Sequence, residues 1–152
     1  TMGEYYDRNV GEDWSSLVSE TMTLLQDESE LEEIVRLVGV DALGFKDRLK
    51  LETARSIRED YLHQIAFHEI DTYTSPKKQY GMLKTIIHWH EKANEALDKD
   101  VAFSKITAMK VIEKVGRMKY IVEDEFEEKI QDINREMDDE FAELMGGEDD
   151  YA

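Results

Sequence analysis

Apolar residues along most of the chain recur every three or four positions, the spacing that places side chains on one face of an α-helix. The pattern is clearest near the end of the chain, where the residues between the apolar positions are mostly Asp and Glu. These apolar positions are Phe126, Ile130, Ile133, Met137, Phe141 and Leu144. We expect this helix to end at Gly146-Gly147, because glycine readily adopts the conformation that follows a helix C-terminus.

The same periodicity predicts two helices in the middle of the chain. The first starts near Lys46, and its apolar face carries Leu51, Ala54, Ile57, Tyr61, Leu62 and Ile65. The second starts at Ser75-Pro76, because serine is a good N-cap and proline suits the first helical position. Its stripe carries Tyr80, Leu83, Ile86, Ile87, His90, Ala93 and Leu97.

The first forty residues carry two shorter apolar stripes, over residues 14–25 and 31–38. We expect Asp27 to separate them and Gly39 to end the second. Residues 41–47 combine turn-forming residues with a glycine, which predicts the tip of a helical hairpin.

Fold class follows from these patterns together with composition. No stretch alternates strictly between apolar and polar residues, so strands are not expected. The 152 residues include one proline and eight glycines, and 36% are charged, which favours long helices with charged surfaces. We predict an all-α helical bundle with a projecting hairpin and a long acidic C-terminal helix. It would form one domain over residues 1–145, followed by a disordered acidic tail over 146–152.

Charge narrows the range of partners. The chain has 19 Lys and Arg against 36 Asp and Glu, a net charge of −17. Such a charge argues against nucleic-acid binding and against anionic membrane surfaces. The chain has no cysteine, which excludes disulfides and thiolate metal sites. Without a signal peptide or a membrane-spanning apolar run, we expect a soluble cytoplasmic protein with no nucleic-acid partner and no membrane insertion.

No motif of a complete catalytic site is present. The glycines of residues 39–47 suggest a phosphate loop, but the Gly-Lys-Ser/Thr sequence and a preceding strand are missing. His88 and His90 would lie about 200° apart on a helix and could not share a metal, and His90 is expected in the core. Asp60-x-x-His63 does not match a di-iron motif. We therefore predict no catalytic residue and no metal site.

Two features stay open at this level. Trp89 lies off the apolar stripe of its helix, and it either packs on a neighbouring element or serves as an exposed anchor, with packing favoured. The acidic runs 123–125 and 148–150 are typical of a solvated surface, but they would also suit electrostatic pairing with a basic partner. A stand-alone acidic adaptor is therefore one hypothesis.

A set of separated motifs adds a second hypothesis. They are Asp41-Ala42-Leu43, Lys46-Asp47-Arg48-Leu49, Ile57-Arg58-Glu59-Asp60, Ala66-Phe67, Asp71-Thr72-Tyr73, Lys78-Gln79-Tyr80 and Arg117-Met118-Lys119-Tyr120. In this order the motifs closely resemble the C-terminal helical domain of the catalytic A subunit of archaeal A-type and vacuolar-type rotary ATPases. The resemblance spans most of residues 5–130.

The resemblance implies roles for five residues. Asp41, Leu43, Lys46 and Asp47 occupy the hairpin that resembles the lever loop touching the central rotor. Phe67 matches the aromatic residue that borders the adenine pocket in this family. The family usually has a proline in the hairpin tip where this chain has Gly44, so the tip is expected to differ from the family pattern in local shape.

The resemblance also implies a larger parent protein. This chain would be the C-terminal part of a subunit several times longer, an H⁺- or Na⁺-transporting ATPase in which the domain transmits rotor movement to the nucleotide site. ATP or ADP and Mg would bind in the parent subunit, whereas no cofactor is expected here. The implied partners are the central-stalk rotor subunit, the non-catalytic B subunit, and the nucleotide-binding domain of the same parent protein. The complex would be peripheral to the cytoplasmic face of the membrane.

Overall fold

The structure, a computed structural model, describes residues 11–66 and 74–149. In these two ranges it contains helices and no strand, which confirms the predicted all-α class. The helices are α1 (Trp14–Val38), α2 (Phe45–Ser56), α3 (Pro76–Asp98), α4 (Phe103–Thr107), α5 (Val111–Arg117) and α6 (Glu123–Asp149). Helix α2 continues through a π-helical stretch, Ile57–Leu62, into a last α-helical turn, His63–Ala66. Short 3₁₀ turns occupy Val40–Ala42 and Met118–Tyr120.

The long helices run between two ends of the bundle. The Lys46 ammonium lies 2.6 Å from the Asp98 carboxylate, so the start of α2 meets the end of α3. We call this the tip end, because the turn between α1 and α2 lies there. At the opposite end, which we call the far end, the Ser75 hydroxyl donates to the Glu123 carboxylate at 2.7 Å. Residues 45–66 cover about 30 Å between the two ends at 1.5 Å per helical residue.

Helix α1 corrects the prediction that Asp27 separates two stripes. It is continuous over 25 residues, and its buried face passes through Leu24, Glu28 and Leu31. The sequence pattern was interrupted because a glutamate, Glu28, occupies a core-facing position. Asp27 itself lies beside Lys50, with a 3.2 Å distance between carboxylate and ammonium. The predicted end at Gly39 is confirmed.

Helix α3 is the central helix and packs on α1, α2 and α6. Its predicted stripe is confirmed, since Leu83, Ile86, Ile87 and Ala93 are all buried. Trp89 is buried as well, so the favoured packing role is confirmed. The cap is confirmed too, because the Ser75 hydroxyl accepts a hydrogen bond from the backbone N–H three residues later. These features make α3 the scaffold on which the other helices are placed.

Two helix details differ from the predictions. Leu62, expected on the buried face of α2, is exposed, because the π-helical stretch holds more residues per turn and shifts the face. Helix α6 does not end at Gly146-Gly147 but runs to Asp149. Burial of Phe141 and Met145 keeps the last turns packed on the bundle, which offsets the roughly 1 kcal/mol that a helical glycine costs. Residues 150–152 lie outside the described ranges.

His90 is a satisfied core histidine, as the sequence predicted. Its Nδ1 lies 2.6 Å from the Thr53 hydroxyl, and its Nε2 lies 3.2 Å from the Asn94 amide nitrogen. Burial, with a smaller effect from nearby Lys50, lowers the pKa of His90 to about 4. The ring therefore stays neutral in the folded protein at pH values where an unfolded histidine is already protonated.

This pKa predicts a specific loss of stability in acid. Between pH 6.5 and 4 the unfolded chain binds a proton at His90 that the folded chain does not, so the free energy of unfolding falls as the pH falls. The full effect is about 3 kcal/mol. Urea titrations of wild type and His90→Gln over this pH range measure it, because the difference between the two curves isolates His90 from the carboxylates. A difference that does not vary with pH would contradict the assignment.

Candidate functional site

The turn between α1 and α2 is shaped by one glycine. Gly39 has φ of 92° and ψ of 160°, a backbone conformation that strains any residue with a side chain. Its N–H donates to the Val35 carbonyl at 2.8 Å and closes α1, and its carbonyl accepts from Ala42 N–H at 3.2 Å. The chain thereby reverses direction within a few residues and starts α2 at Phe45. Gly44, the position of the missing family proline, has an ordinary extended conformation with φ of −69°.

A single arginine braces the turn from inside. Arg48 Nε donates to the Leu43 carbonyl at 3.1 Å, and its Nη2 lies 3.4 Å from the Asp41 carboxylate. Its guanidinium also lies 5.3 Å from the centre of the Phe45 ring. Leu43 is only 7% exposed and anchors the turn on the bundle. The tip therefore has a fixed shape rather than that of a loose loop.

The surface of the tip is apolar. Leu37 and Val38 are 73% and 67% exposed, and three neighbours in sequence are also exposed. We call the whole set the apolar tip; it comprises Ile34, Leu37, Val38, Val40 and Phe45. Contiguous exposed apolar residues on a small domain mark a binding surface more often than single ones do. Sequence reasoning missed these residues, although the run Leu37-Val38-Gly39-Val40 at the end of a helix was the available signal.

The four predicted rotor-contact residues take different positions around this surface. Asp41 is fully exposed beside the apolar tip, whereas Leu43 is buried beneath it. Lys46 is exposed and paired with Asp98. Asp47 is half-buried in the first turn of α2, where a carboxylate favours the helix N-terminus. Their predicted role remains a prediction, and Leu43 is placed to support the tip rather than to form its surface.

Two polar clamps hold the middle of α2 to the rest of the bundle. Arg58, in the π-helical stretch, donates to both oxygens of Glu28 on α1, at 3.0 Å from Nε and 2.6 Å from Nη2. On the other side, the Lys119 ammonium lies 3.2 Å from the Asp60 carboxylate and 3.4 Å from the Glu59 carbonyl. Bidentate and partly buried pairs of this kind fix geometry. Helix α2 is therefore tied to its neighbours along the path between the two ends.

The far end holds the other predicted site residue. Phe67 follows the last turn of α2 in the sequence, but it lies outside the described residues. The neighbouring Lys78-Gln79-Tyr80 motif is described, and the Tyr80 hydroxyl donates to the Asp13 carboxylate at 2.8 Å. The N-terminal end of α1 thus lies beside the start of α3.

The described helices offer neither a metal centre nor a membrane span. In residues 11–66 and 74–149, no group of three or more His, Asp or Glu side chains is arranged to hold a metal ion. In the same ranges, no helix combines the length and the apolar character that crossing a membrane requires.

Comparison with known proteins decides the family. Residues 3–107 match the family model described as the C-terminal domain of V and A type ATP synthase. The chain belongs to this family. The resemblance noted from the sequence is thereby confirmed, and the hairpin, α2 and α3 all lie inside the matched residues.

Individual relatives extend the similarity beyond residue 107. The catalytic-type A subunit of the A-type ATP synthase of Methanopyrus kandleri is 53% identical over 142 residues, 93% of this chain and 24% of the relative. The V-type ATP synthase alpha chain of Acetivibrio thermocellus is 49% identical over 147 residues, 97% of this chain and 25% of the relative. That of Thermoanaerobacter pseudethanolicus is 54% identical over 134 residues, 84% and 23% respectively. The chain therefore spans about a quarter of the length of these relatives.

Proposed function

We propose that this V- and A-type ATP synthase C-terminal domain is the mechanical arm of the catalytic A subunit of a rotary ATPase. The central-stalk rotor subunit would press on the tip end, and the domain would move as a body and open or close the nucleotide cleft at the far end. ATP synthesis or hydrolysis would thereby be coupled to ion translocation. The observation that carries the proposal is an exposed apolar surface on a braced turn, about 30 Å along α2 from the far end.

The structure changes which residues of the tip we assign to the rotor. Leu37 and Val38 are the most exposed apolar side chains there, and they would provide most of the contact. Asp41 would lie at the rim, where a charge affects the rate and orientation of encounter more than the strength of binding. Leu43 would keep the turn in shape from below. The proposed contact is therefore primarily apolar.

The body of the domain suits transmission of force. Close-packed interiors resist continuous deformation, and α3 packs against both α2 and α6. The Arg58–Glu28 and Lys119–Asp60 clamps add fixed polar links between helices. A displacement at the tip end would therefore reach the far end instead of being absorbed within the bundle.

The acidic surface fits this proposal better than it fits an independent adaptor. Carboxylates of α6 are used inside the domain: Glu140 accepts from the backbone N–H groups of Lys110 and Val111, and Glu136 pairs with Lys114. Glu123 binds Ser75. These residues hold the domain together, so the run at 123–125 is not simply a free docking surface for a basic partner.

The rest of the proposal concerns the parent complex. The phosphate-binding residues and Mg would belong to the nucleotide-binding domain of the parent subunit, where the chemistry of phosphoryl transfer is positioning and charge stabilisation. The non-catalytic B subunit would be the lateral neighbour. The assembly would lie on the cytoplasmic face of the membrane, without insertion of this domain.

Phe67 provides a test at the nucleotide end. In the full-length parent subunit, Phe67→Ala should weaken the affinity for MgADP by about tenfold, because stacking of a base on an aromatic ring contributes about 1–3 kcal/mol. Equilibrium titration with a fluorescent nucleotide measures the dissociation constant. Phe67→Tyr, which keeps a ring, should restore most of the affinity. Equal affinities for wild type and Phe67→Ala would remove Phe67 from the pocket.

A further inference from the structure

A second exposed apolar surface lies at the far end. The turn after α5 exposes 72% of Tyr120 and 59% of Val122, as much as the most exposed residues of the apolar tip. We call residues 118–122 the far-end turn. Water-exposed aromatic and β-branched side chains side by side are costly unless a partner covers them.

The far-end turn is held rigid by a buried lysine. The Lys78 side chain is buried, and its ammonium donates to the carbonyls of Lys119 at 2.9 Å and Ile121 at 2.6 Å. It also lies 5.7 Å from the centre of the Phe126 ring. Burying a lysine is unfavourable unless its donors are used, and here they are used on the turn that carries Tyr120.

A second lysine fixes the turn from the other side. Lys119 binds Asp60 and the Glu59 carbonyl of the π-helical stretch, and its ammonium lies 5.5 Å from the centre of the Tyr120 ring. The aromatic side chain is thus presented on a backbone that is already ordered. Preorganised aromatic residues of this kind lose little entropy on association and are typical anchors of protein interfaces.

The surroundings of the turn are basic, although the chain as a whole is acidic. Residues 101–122 contain one acidic residue, Glu113, and five basic residues: Lys105, Lys110, Lys114, Arg117 and Lys119. A groove of about 540 Å³ beside Tyr120 is lined by Arg117, Lys114 and Lys129. The two lysines are paired with Glu136 and Glu125, whereas Arg117 has no carboxylate within ion-pair distance among the described residues. One exposed guanidinium is therefore left to meet an acidic group from outside.

These charges favour a protein partner over a polyanion. Glu125 and Asp132 also line the groove and would repel phosphates, and the net charge of −17 acts in the same direction at long range. An apolar recess with carboxylates at its rim would accept Tyr120 and Val122 and pair with Arg117.

The position of the turn identifies the partner. The start of α1 lies at the far end, since Asp13 binds Tyr80 and Lys84, close to Lys78. The relatives are about four times as long as this chain, and the matched family is named a C-terminal domain. The preceding part of the parent subunit would thus join the domain at the end that carries the far-end turn.

We infer that the far-end turn is a docking surface for the nucleotide-binding domain of the same parent subunit, whose contact face carries carboxylates around an apolar recess. This inference rests on the proposed function and adds a fixed point to it. A body pushed at the tip transmits movement to a cleft only when its other end is held. Tyr120, Val122 and Arg117 would form that hold.

Photo-crosslinking in the assembled parent enzyme tests the inference. With p-benzoylphenylalanine in place of Tyr120, we expect a crosslink to a peptide of the preceding domain of the same subunit, identified by mass spectrometry. The same probe in place of Met22, an exposed residue of α1, should not give that peptide. Crosslinks from position 120 to a second subunit, to lipid or to no protein would overturn the inference.

A charge reversal tests the chemistry of the partner. Arg117→Glu should reduce the yield of the Tyr120-position crosslink by about fivefold, while Lys105→Glu, an exposed lysine on α4, should leave it unchanged. Equal reductions, or none, would contradict an acidic rim. A rotor crosslink from position 37 in the same preparations separates the two proposals, because its persistence shows that the arm is intact when the far-end contact is not.

Discussion

Replacing Leu37 and Val38 by aspartate in the assembled parent enzyme should uncouple ATP turnover from ion transport. Both side chains are mostly exposed, so in the isolated domain the change should alter the free energy of unfolding by only about 0.5 kcal/mol per residue. In the complex, two charges would be forced into an apolar contact in which each original side chain contributes about 1.5–3 kcal/mol. We expect the number of ions moved per ATP in proteoliposomes to fall about tenfold or more.

The same helix supplies a matched control. Val18 and Met22 are exposed apolar residues of α1, but they lie two or more turns away from the tip. The double substitution Val18→Asp and Met22→Asp should leave the ion-to-ATP ratio unchanged. Normal coupling in the Leu37 and Val38 variant, or an equal loss in the control, would show that the apolar tip does not contact the rotor.

Phe141→Ala should cause the largest loss of stability in the isolated domain. Phe141 is fully buried on α6, and truncation of a core phenylalanine costs about 3–5 kcal/mol through lost burial and the cavity left behind. For a chain of this size the melting temperature should fall by about 10 °C. Circular dichroism during thermal unfolding at neutral pH measures the change.

The comparison variant for Phe141 is Tyr120→Ala, because Tyr120 is an aromatic residue that is mostly exposed. Its melting temperature should stay close to that of the wild type. The pair also tests whether α6 belongs to the domain, since the family model ends at residue 107 and α6 begins at Glu123. A loss below about 1 kcal/mol for Phe141→Ala would mean that α6 is only loosely attached.

The helices could be predicted from the sequence wherever apolar spacing and local capping agreed. Helix α3 is the best case, since Ser75-Pro76 marks its start and its stripe is uninterrupted. The prediction failed in α1, because Glu28 faces the core and is satisfied by Arg58, thirty residues further along the chain. It failed at Gly146 because the packing of Met145 on the bundle, not the glycine, decides where α6 ends.

The candidate site was only partly visible in the sequence. The location of the tip followed from Gly39 and the turn residues, and the resemblance pointed to its charged positions. Which side chains form the surface depends on how the turn folds over the bundle, and this exposes Leu37 and Val38 while it buries Leu43. Lys78 shows the same limit, since its partners lie more than forty residues away and no local pattern indicates them.

The central claim, that the tip is touched by the rotor, can be tested by one crosslinking measurement. The chain contains no cysteine, so Val38→Cys introduces a single thiol here that accepts a cleavable benzophenone reagent. In the assembled enzyme, with any other reactive cysteines removed, illumination should join position 38 to the central-stalk rotor subunit. This adduct should stop ATP turnover, and cleavage of the link should restore it. Illumination that gives no rotor adduct in any nucleotide state, or an adduct that leaves turnover unchanged, would contradict the account.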